Sequence, residues 1–341
     1  MTLTERKRRV LEAIIDSYVA TAEPVGSRTI ARKYRLGVSP ATIRNEMADL
    51  EELGYLEQPH TSAGRVPSDK GYRYYVDTLM PMKRLTSEEV ERIRAFYRQR
   101  YREMETIIQQ TARVLSESTD YISVVLGPGL SQTGLRFVQM VPLGTDKAVI
   151  LTATETGFVG HLTVNLPPMS PEERERVIGV INEGLQGQRL EDLGRGLIRR
   201  LYRELSAFRS VVEELLGSLQ SSLEGAEEGE RVYTGGTTNI LNQPEFRDVE
   251  KVKMVLGVLE QTRLVHELLG PPRSSEITIT IGKEIQIKEM QDCSVVTASY
   301  RVAGQPIGRI GVLGPKRMRY ARAVAVVEQV ARALSEALGP G

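Results

Sequence analysis

The N-terminal part of the chain carries apolar residues at helical spacing in three successive segments. Residues that recur three or four positions apart face one side of a helix, so each segment predicts an amphipathic helix. In order, the segments are TLTERKRRVLEAIIDSYVAT, GSRTIARKYRLG and VSPATIRNEMADLEELGYL. The pattern therefore predicts three short helices that share one core.

The third segment carries residues typical of helix ends. Ser39 is a good N-cap, Pro40 suits the first helical position, and Gly54 suits the left-handed residue after the last turn. We expect Ser27 to cap the second helix in the same way. A short turn at Gly37 separates the second and third helices, so these two segments predict a helix-turn-helix.

A predicted β-hairpin follows the three helices. Tyr55–Gln58 has the pattern of a strand, HTSAG forms a turn, and Arg65-Val66 begins a return strand. Three helices followed by a hairpin indicate the winged form of the helix-turn-helix, a DNA-binding unit. The tip of the wing would run from Thr61 to Arg65, where small residues and one arginine can lie along a phosphate backbone.

The third helix presents a small, polar face opposite its apolar stripe. In the major groove, arginine pairs with guanine and asparagine with adenine through two hydrogen bonds each. We therefore expect these side chains to read bases: Arg44, Asn45, Ala41, Thr42 and Ala48. A second set should contact phosphates: Arg28, Ser39, Arg65, Thr61 and Ser62. His60, beside the wing turn, is a further candidate, and an ordinary surface helix of mixed charge is the competing interpretation of this face.

Charge supports a DNA-binding surface locally but not over the whole chain. From Pro24 to Asn45 there are five basic residues and no acid, whereas the whole chain has a net charge of only +1. A local basic patch is enough for phosphate contacts. The weak overall charge predicts modest non-specific affinity and a reliance on dimerisation.

Further elements follow the hairpin. A helix is predicted from Ser68 to Leu79, and a capping box of Thr86 with Glu89 begins a long helix that runs to Ser118. Tyr121–Leu126 is a predicted strand. Three antiparallel strands then lead into about fifty helical residues, and the predicted ranges are Leu135–Val141, Lys147–Thr154, Phe158–Leu166 and a helical run from Ser170 to Leu223, broken near Gly187 and Gly194.

An acidic linker, Glu224–Glu230, separates this block from the rest of the chain. The strands predicted beyond it are Arg231–Thr234, Ile277–Ile281, Val295–Val302 and Ile307–Leu313, and the helices are Val249–Leu259 and Arg319–Leu338. One strand before the block and several after it are compatible with an insertion into a discontinuous domain. The pattern alone does not establish that insertion.

Composition indicates a globular protein of two or three domains, with 341 residues of which 40% are hydrophobic and 26% charged. No apolar run approaches the roughly 18 residues of a membrane span, and MTLTERKRRV lacks an apolar signal region. One cysteine, Cys293, suits a reducing compartment. We therefore expect a cytoplasmic protein without a membrane partner.

Candidate enzymatic chemistry is weak. The three histidines, His60, His161 and His266, are not at metal-ligand spacing, and we interpret them as surface or loop residues. Cys293 is more typical of a core residue than of a reactive one. Tyr233–Asn239 has glycines that could cradle a phosphate, but it lacks the lysine of a P-loop, so a structural turn is the favoured interpretation. We expect no catalytic residue, metal or cofactor.

Three stretches resemble one known family. Gly37–Asp77, GVSPATIRNEMADLEELGYLEQPHTSAGRVPSDKGYRYYVD, resembles the N-terminal signature of the heat-inducible transcription repressor HrcA family of bacteria. Tyr233–Phe246, YTGGTTNILNQPEF, and Gly311–Val324, GVLGPKRMRYARAV, resemble its middle and C-terminal segments. The three stretches are spread over the chain, so the resemblance covers essentially all of it.

The resemblance implies a multidomain α+β architecture. A winged helix-turn-helix would occupy residues 1–80, a discontinuous GAF-like α/β domain residues 81–134 and 225–341, and an inserted dimerising domain of an antiparallel sheet plus helices residues 135–224. Gly311–Met318 would pack at a strand end, with a contact to the winged helix as an alternative.

The resemblance also implies a function. The chain would be a dimeric repressor of heat-shock chaperone operons that binds an inverted-repeat operator on double-stranded DNA and is released on heat stress, with the GroE chaperonin as modulator. Two alternatives remain open at this point. One is a winged-helix regulator whose GAF-like domain senses a small metabolite, and the other is an enzyme with an accessory DNA-binding domain.

Overall fold

A computed structural model describes residues 3–60, 63–98, 104–127, 135–144, 146–154, 159–185, 195–224, 232–271, 277–302 and 304–338 of the chain. Its N-terminal elements are α1 (Glu5–Thr21), α2 (Ser27–Tyr34), α3 (Pro40–Glu52), β1 (Leu56–Glu57), β2 (Val66–Pro67) and α4 (Asp69–Tyr74), which a π-helical turn extends to Leu79. Three helices followed by an antiparallel hairpin confirm the predicted winged helix-turn-helix.

The predicted ends of α3 are confirmed, whereas the predicted cap of α2 is wrong. Ser39 Oγ accepts a 3.1 Å hydrogen bond from the Thr42 amide, and Gly54 adopts a φ of +77° beyond the last turn. Helix α2 begins one residue earlier than expected, because the Ile30 amide bonds to the Gly26 carbonyl. Gly26 is therefore the N-cap residue, and Ser27 is a buried first helical residue whose hydroxyl caps nothing.

The remaining elements alternate strands with helices. Up to the acidic linker they are α5 (Ser87–Arg98), α6 (Met104–Thr119), β3 (Ile122–Leu126), β4 (Leu135–Pro142), β5 (Lys147–Thr154), β6 (Val159–Asn165), α7 (Pro171–Leu185), α8 (Arg195–Glu204) and α9 (Arg209–Glu224). Beyond it they are β7 (Val232–Gly235), α10 (Val249–Leu259), α11 (Thr262–Leu269), β8 (Ile277–Ile281), β9 (Cys293–Val302), β10 (Gln305–Pro315) and α12 (Tyr320–Leu338).

These strands form two antiparallel sheets. Strands β4, β5 and β6 pair in chain order, and their buried face packs on α7, α8 and α9. The other sheet has the order β7-β3-β10-β9-β8, so it takes one strand from before the three-stranded sheet and four from after it. Successive residues of β3 face opposite sides: Val125 packs with α6 and α12, while Val124 packs with α10 and α11. Both faces of the larger sheet are therefore covered.

Several predicted boundaries differ from the structure. The capping box is confirmed, since the Thr86 amide donates to Glu89 Oε2 at 2.8 Å and the Glu89 amide to Thr86 Oγ1 at 3.2 Å. The predicted helix from Thr86 to Ser118 is described as α5 and α6, with residues 99–103 outside the described part. The breaks expected near Gly187 and Gly194 also fall outside it. Helix α11 has no counterpart among the predicted elements, because its eight residues are a short window for periodicity.

The winged helix-turn-helix packs directly against the larger sheet. Asp69 accepts a 2.8 Å hydrogen bond from Lys316 Nζ, and Arg73 Nε donates to Glu284 Oε1 at 2.8 Å. We call these two ion pairs the docking contacts. They join residues more than 200 positions apart in the chain, and they fix the orientation of α3 relative to the rest of the structure.

Candidate nucleic-acid interface

The outer face of α3 is exposed along its length. Arg44, Asn45, Ala41 and Ala48 are all exposed, and Thr42 is half-buried. The opposite face buries Ile43, Met47 and Leu50 against α1 and α2. The structure therefore brings the five predicted base-reading residues to one solvent-facing surface of a helix.

The N-terminal end of α3 is fixed by Ser39. Its hydroxyl caps the Thr42 amide and lies 2.9 Å from Thr42 Oγ1. Ser39, predicted as a phosphate contact, is exposed at the positive end of the helix, where a backbone phosphate is favoured.

Two acids of α3, Glu46 and Asp49, are paired with a lysine of α1. Lys7 Nζ, on α1, lies 2.8 Å from Glu46 Oε2 and 2.7 Å from Asp49 Oδ2. The hydrogen bonds to Asp49 and then Glu46 raise the pKa of the Lys7 ammonium. Within the described part of the chain, the side chains of Arg44 and Asn45 form no ion pair or hydrogen bond of their own. The guanidinium of Arg44 is thus the charge that this face offers to a ligand.

A basic surface adjoins this face on α2. Arg28, Arg32, Lys33 and Arg35 are exposed. Arg35 ends the helix in the left-handed conformation with a φ of +45°, which directs the chain into the turn before α3. This surface includes Arg28, the predicted phosphate contact, and its exposed positive charges suit contacts with phosphates.

The base of the wing is joined to the segment between α1 and α2. The amide of Val25 donates to the Arg65 carbonyl and the amide of Arg65 to the Val25 carbonyl, both at 2.9 Å. A Cβ on Gly64 would lie 2.5 Å from backbone atoms of Val25, so this close approach requires glycine. Thr61 and Ser62, the predicted phosphate contacts at the wing tip, lie outside the described residues, and His60 before them is exposed.

Arg65 does not extend freely from the wing. Its Nε and Nη2 both lie 2.8 Å from Glu51 Oε2, and its side chain is 20% exposed. A phosphate contact by Arg65 would have to share or replace this ion pair. Sequence reasoning missed Lys7, Glu51 and Val25 as residues that shape the interface, because each acts through a partner on another element.

Two other candidate sites have structural explanations. Gly235 and Gly236 pack closely on α6, where a Cβ would lie 2.6 Å from the Ala112 carbonyl oxygen or the Ser116 Cβ, respectively. The Tyr233–Asn239 stretch is therefore a packed turn. Cys293 is a fully buried core residue. This burial raises the pKa of its thiol to about 12, so the thiol is not a reactive one.

The interpretation of His266 as a surface or loop residue is wrong. It lies within α11 and is half-buried. The described residues contain no cluster of histidine, cysteine, aspartate and glutamate side chains that could hold a metal ion. Among the helices in the same part of the chain, none is long and apolar enough to cross a membrane.

Comparison with known proteins agrees with this interface. Residues 2–78 match the family model described as winged helix-turn-helix transcription repressor, HrcA DNA-binding, and residues 105–324 match the model of the HrcA protein C-terminal domain. The heat-inducible transcription repressor HrcA of Symbiobacterium thermophilum is 49% identical over 98% of both chains. That of Moorella thermoacetica is 49% identical over 99% of this chain and 98% of the relative.

A solved structure supports the fold over the whole length. The crystal structure of a hypothetical protein at 2.2 Å resolution superposes with a TM-score of 0.64 and 25% identity, covering 99% of each chain. The similarity of fold therefore extends over the chain as a whole and is not confined to the winged helix.

Proposed function

The chain belongs to the HrcA family of heat-inducible transcription repressors, and we propose that it represses heat-shock chaperone operons as a homodimer bound to an inverted-repeat operator. Heat stress would release it, with the GroE chaperonin as modulator, and it would act in the cytoplasm. The observation that carries the proposal is the exposed, unpaired Arg44–Asn45 face of α3. Three acids of the same helix, Glu46, Asp49 and Glu51, are paired with basic residues of α1 and the wing.

Direct reading of bases follows from the chemistry of that face. Arg44 and Asn45 can each form two hydrogen bonds to one base edge, whereas Ala41 and Ala48 allow a close approach of the helix and can contact a thymine methyl. The basic side chains of α2 and Ser39 would hold the backbone on either side. Contacts to phosphate supply affinity, and contacts to base edges supply selectivity.

A two-fold dimer would match an inverted repeat, because each protomer would present one α3 to one half-site. The three-stranded sheet provides a surface for such a dimer. Its face away from α7–α9 exposes Phe137 by 46% and Val141 by 39%, and the half-buried Val149 lies directly beside Val141 on β5. Exposed apolar side chains on such a sheet face are removed from water when a second copy covers it.

We therefore infer a division of labour along the chain. Residues 1–80 would bind DNA, residues 81–134 and 225–341 would form the GAF-like domain that holds the docking contacts, and residues 135–224 would form the inserted dimerising domain. In this arrangement the dimer sets the spacing between two winged helices. Heat could then act on the operator complex by separating the dimer or by loosening the docking contacts.

The test is DNA binding by the full chain at two salt concentrations. The probes are an inverted-repeat duplex from a chaperone promoter and a duplex with the same bases scrambled. We expect tight binding to the repeat, at two chains per duplex, and weak, salt-sensitive binding to the scrambled control. The experiment is repeated with chaperonin present, because the preparation could require it for activity. Equal, weak binding to both duplexes under both conditions would contradict the proposal.

A further inference from the structure

Two stretches singled out in the sequence, Tyr233–Phe246 and Gly311–Val324, meet at one cavity. The cavity has a volume of about 170 Å³ and lies between the end of α6 and the beginning of α12. Neither stretch is used by the DNA-binding surface. The polar residues that line the cavity are Asp120, Tyr121, Gln243, Arg317, Arg319 and Arg322.

Three guanidinium groups converge on this cavity. Arg317 donates to Glu245 Oε1 at 2.5 Å, and Arg322 donates to Glu89 Oε1 at 2.7 Å. Both glutamates lie outside the cavity lining. Arg319 is exposed, and its side chain has no hydrogen bond or ion pair among the described residues. The guanidinium groups of Arg317 and Arg322 are thus already paired with glutamates. Arg319 carries the guanidinium that is left for a ligand, beside the carboxylate of Asp120.

The cavity also adjoins the winged helix. Arg317 Nη1 donates a 3.1 Å hydrogen bond to the carbonyl of Val19, near the end of α1. The third nitrogen, Nη2, lies 3.2 Å from Gln243 Oε1. One guanidinium thus touches the cavity wall and the DNA-binding unit at the same time.

We propose that this cavity binds a small phosphate-type oxyanion and that its occupancy is coupled to the winged helix through Arg317. Planar guanidinium groups match the oxygen geometry of phosphate with paired hydrogen bonds. The cavity volume suits inorganic phosphate, pyrophosphate or a small phosphate monoester. An anion that draws on Arg317 competes with the Val19 carbonyl, so binding at one site changes the free energy of the other.

Calorimetric titration of the full chain, without DNA and at constant ionic strength, tests the binding step. Inorganic phosphate, pyrophosphate and glycerol 3-phosphate are the probes, and their order of affinity separates a free inorganic ion from an organic phosphate. We expect saturable binding of one ion per chain by at least one probe. Because no DNA is present, this result is independent of the repressor function.

Matched variants locate the site. Arg319→Gln removes the unpaired guanidinium and should weaken binding by about tenfold or more, as loss of a charge-assisted hydrogen bond does. Arg332→Gln removes the same charge from an exposed position further along α12 and should leave binding within about twofold. Arg317→Lys keeps the positive charge but loses the planar guanidinium that forms paired hydrogen bonds. This variant should bind the ion more weakly, and the ion should no longer change its affinity for the operator.

Two results would overturn the proposal. One is the absence of saturable binding by all three probes up to millimolar concentration. The other is an equal loss of binding in Arg319→Gln and Arg332→Gln, since that pattern describes general attraction of anions to a charged surface rather than a site.

Discussion

The guanidinium of Arg65, at the base of the wing, lies against the carboxylate of Glu51 at the end of α3, with Nε and Nη2 both 2.8 Å from Oε2. This pair connects the two parts of the winged helix that would face DNA. It neutralises the arginine that the sequence predicts as a phosphate contact, and a bound phosphate would compete with Glu51 for the same donors. The pair therefore limits how much Arg65 can add to DNA affinity.

Removing the acid of this pair should strengthen DNA binding. In Glu51→Gln the Arg65 guanidinium is freed and one negative charge is lost, so operator and scrambled duplexes should both bind several-fold more tightly at low salt. Arg65→Gln should weaken both to a similar degree. Fluorescence anisotropy with both duplexes measures this. A change confined to the operator in either variant would assign Arg65 to base reading instead.

The unpaired residues of α3 should control selectivity. Arg44→Ala and Asn45→Ala are each expected to cost about 1–3 kcal/mol of operator binding free energy while leaving scrambled DNA nearly unaffected. Arg32→Ala, on the basic surface of α2, is the comparison, because loss of a phosphate contact should weaken both duplexes alike. Equal losses on operator and scrambled DNA for Arg44→Ala would contradict its assignment to a base edge.

The contrast between Arg44 and Arg65 shows what the sequence could predict. The ends of α3 are encoded locally by Ser39 and Gly54, and the apolar spacing fixes which side faces solvent, so the exposure of Arg44 follows from its neighbours in the chain. Whether the Arg65 guanidinium is paired depends instead on Glu51, which lies fourteen residues away in the chain on another element. The periodicity of apolar residues carries no information about a contact between side chains on two different elements.

The same reasoning applies to the rest of the fold. The strand Ile122–Leu126, ISVVL, was predictable because four of its five residues are apolar, as expected for a strand covered on both faces. The docking contact between Arg73 and Glu284 and the convergence of Arg317 with Gln243 were not, since they join residues 211 and 74 positions apart. Only tertiary packing brings these groups together.

A side chain at Gly282 should disturb the docking contacts. Gly282 has a φ of +54°, and a Cβ there would lie 2.4–2.6 Å from the carboxylate of Asp69. The carboxylate would have to withdraw from Lys316 and from the Lys283 amide, 2.8 and 3.1 Å away. Gly282→Ala should therefore lower the free energy of unfolding by about 2–4 kcal/mol, measured by denaturant titration.

Gly304 provides the matched control for that variant. Its φ is +81°, but a Cβ at this position would have no non-neighbouring atom of the described residues within 4 Å. Gly304→Ala should thus cost only the backbone strain, about 1 kcal/mol. The double variant Asp69→Ala with Gly282→Ala should be less destabilised than the sum of its single changes. Similar costs at Gly282 and Gly304 would show that Asp69 is not the obstacle.

A charge on the outer face of the three-stranded sheet should separate the proposed dimer. Val141→Asp places a carboxylate beside Val149 in an apolar surface, and burial of that unpaired charge would be unfavourable. We expect the dissociation constant to rise by about a hundredfold or more, measured by analytical ultracentrifugation. Met82→Asp, at a residue that is 99% exposed, should leave assembly unchanged. A dimer that survives Val141→Asp would place the interface elsewhere.

Acid should weaken the attachment of α5 to α12 through Glu89. The Arg322 guanidinium, and then the Thr86 amide, lower the pKa of the Glu89 carboxyl from 4.5 to about 2. A carboxyl whose pKa is depressed in the folded state stabilises the protein above its unfolded pKa, and this contribution is lost as the pH falls from about 4.5 towards 2. Because the Glu89 side chain is 22% exposed and screened by solvent, we expect a loss of about 1 kcal/mol or less.

Glu89→Gln removes this titration while keeping an acceptor for the Thr86 amide. The variant should be less stable than the wild type at pH 6, and the difference should shrink as the pH falls towards 3. Glu88→Gln, at the exposed neighbouring position, should follow the wild-type pH dependence. Urea unfolding at several pH values measures all three proteins. If wild type and Glu89→Gln differ by the same free energy at every pH, the ion pair with Arg322 does not contribute to stability, and α5 is held to α12 by its apolar contacts alone.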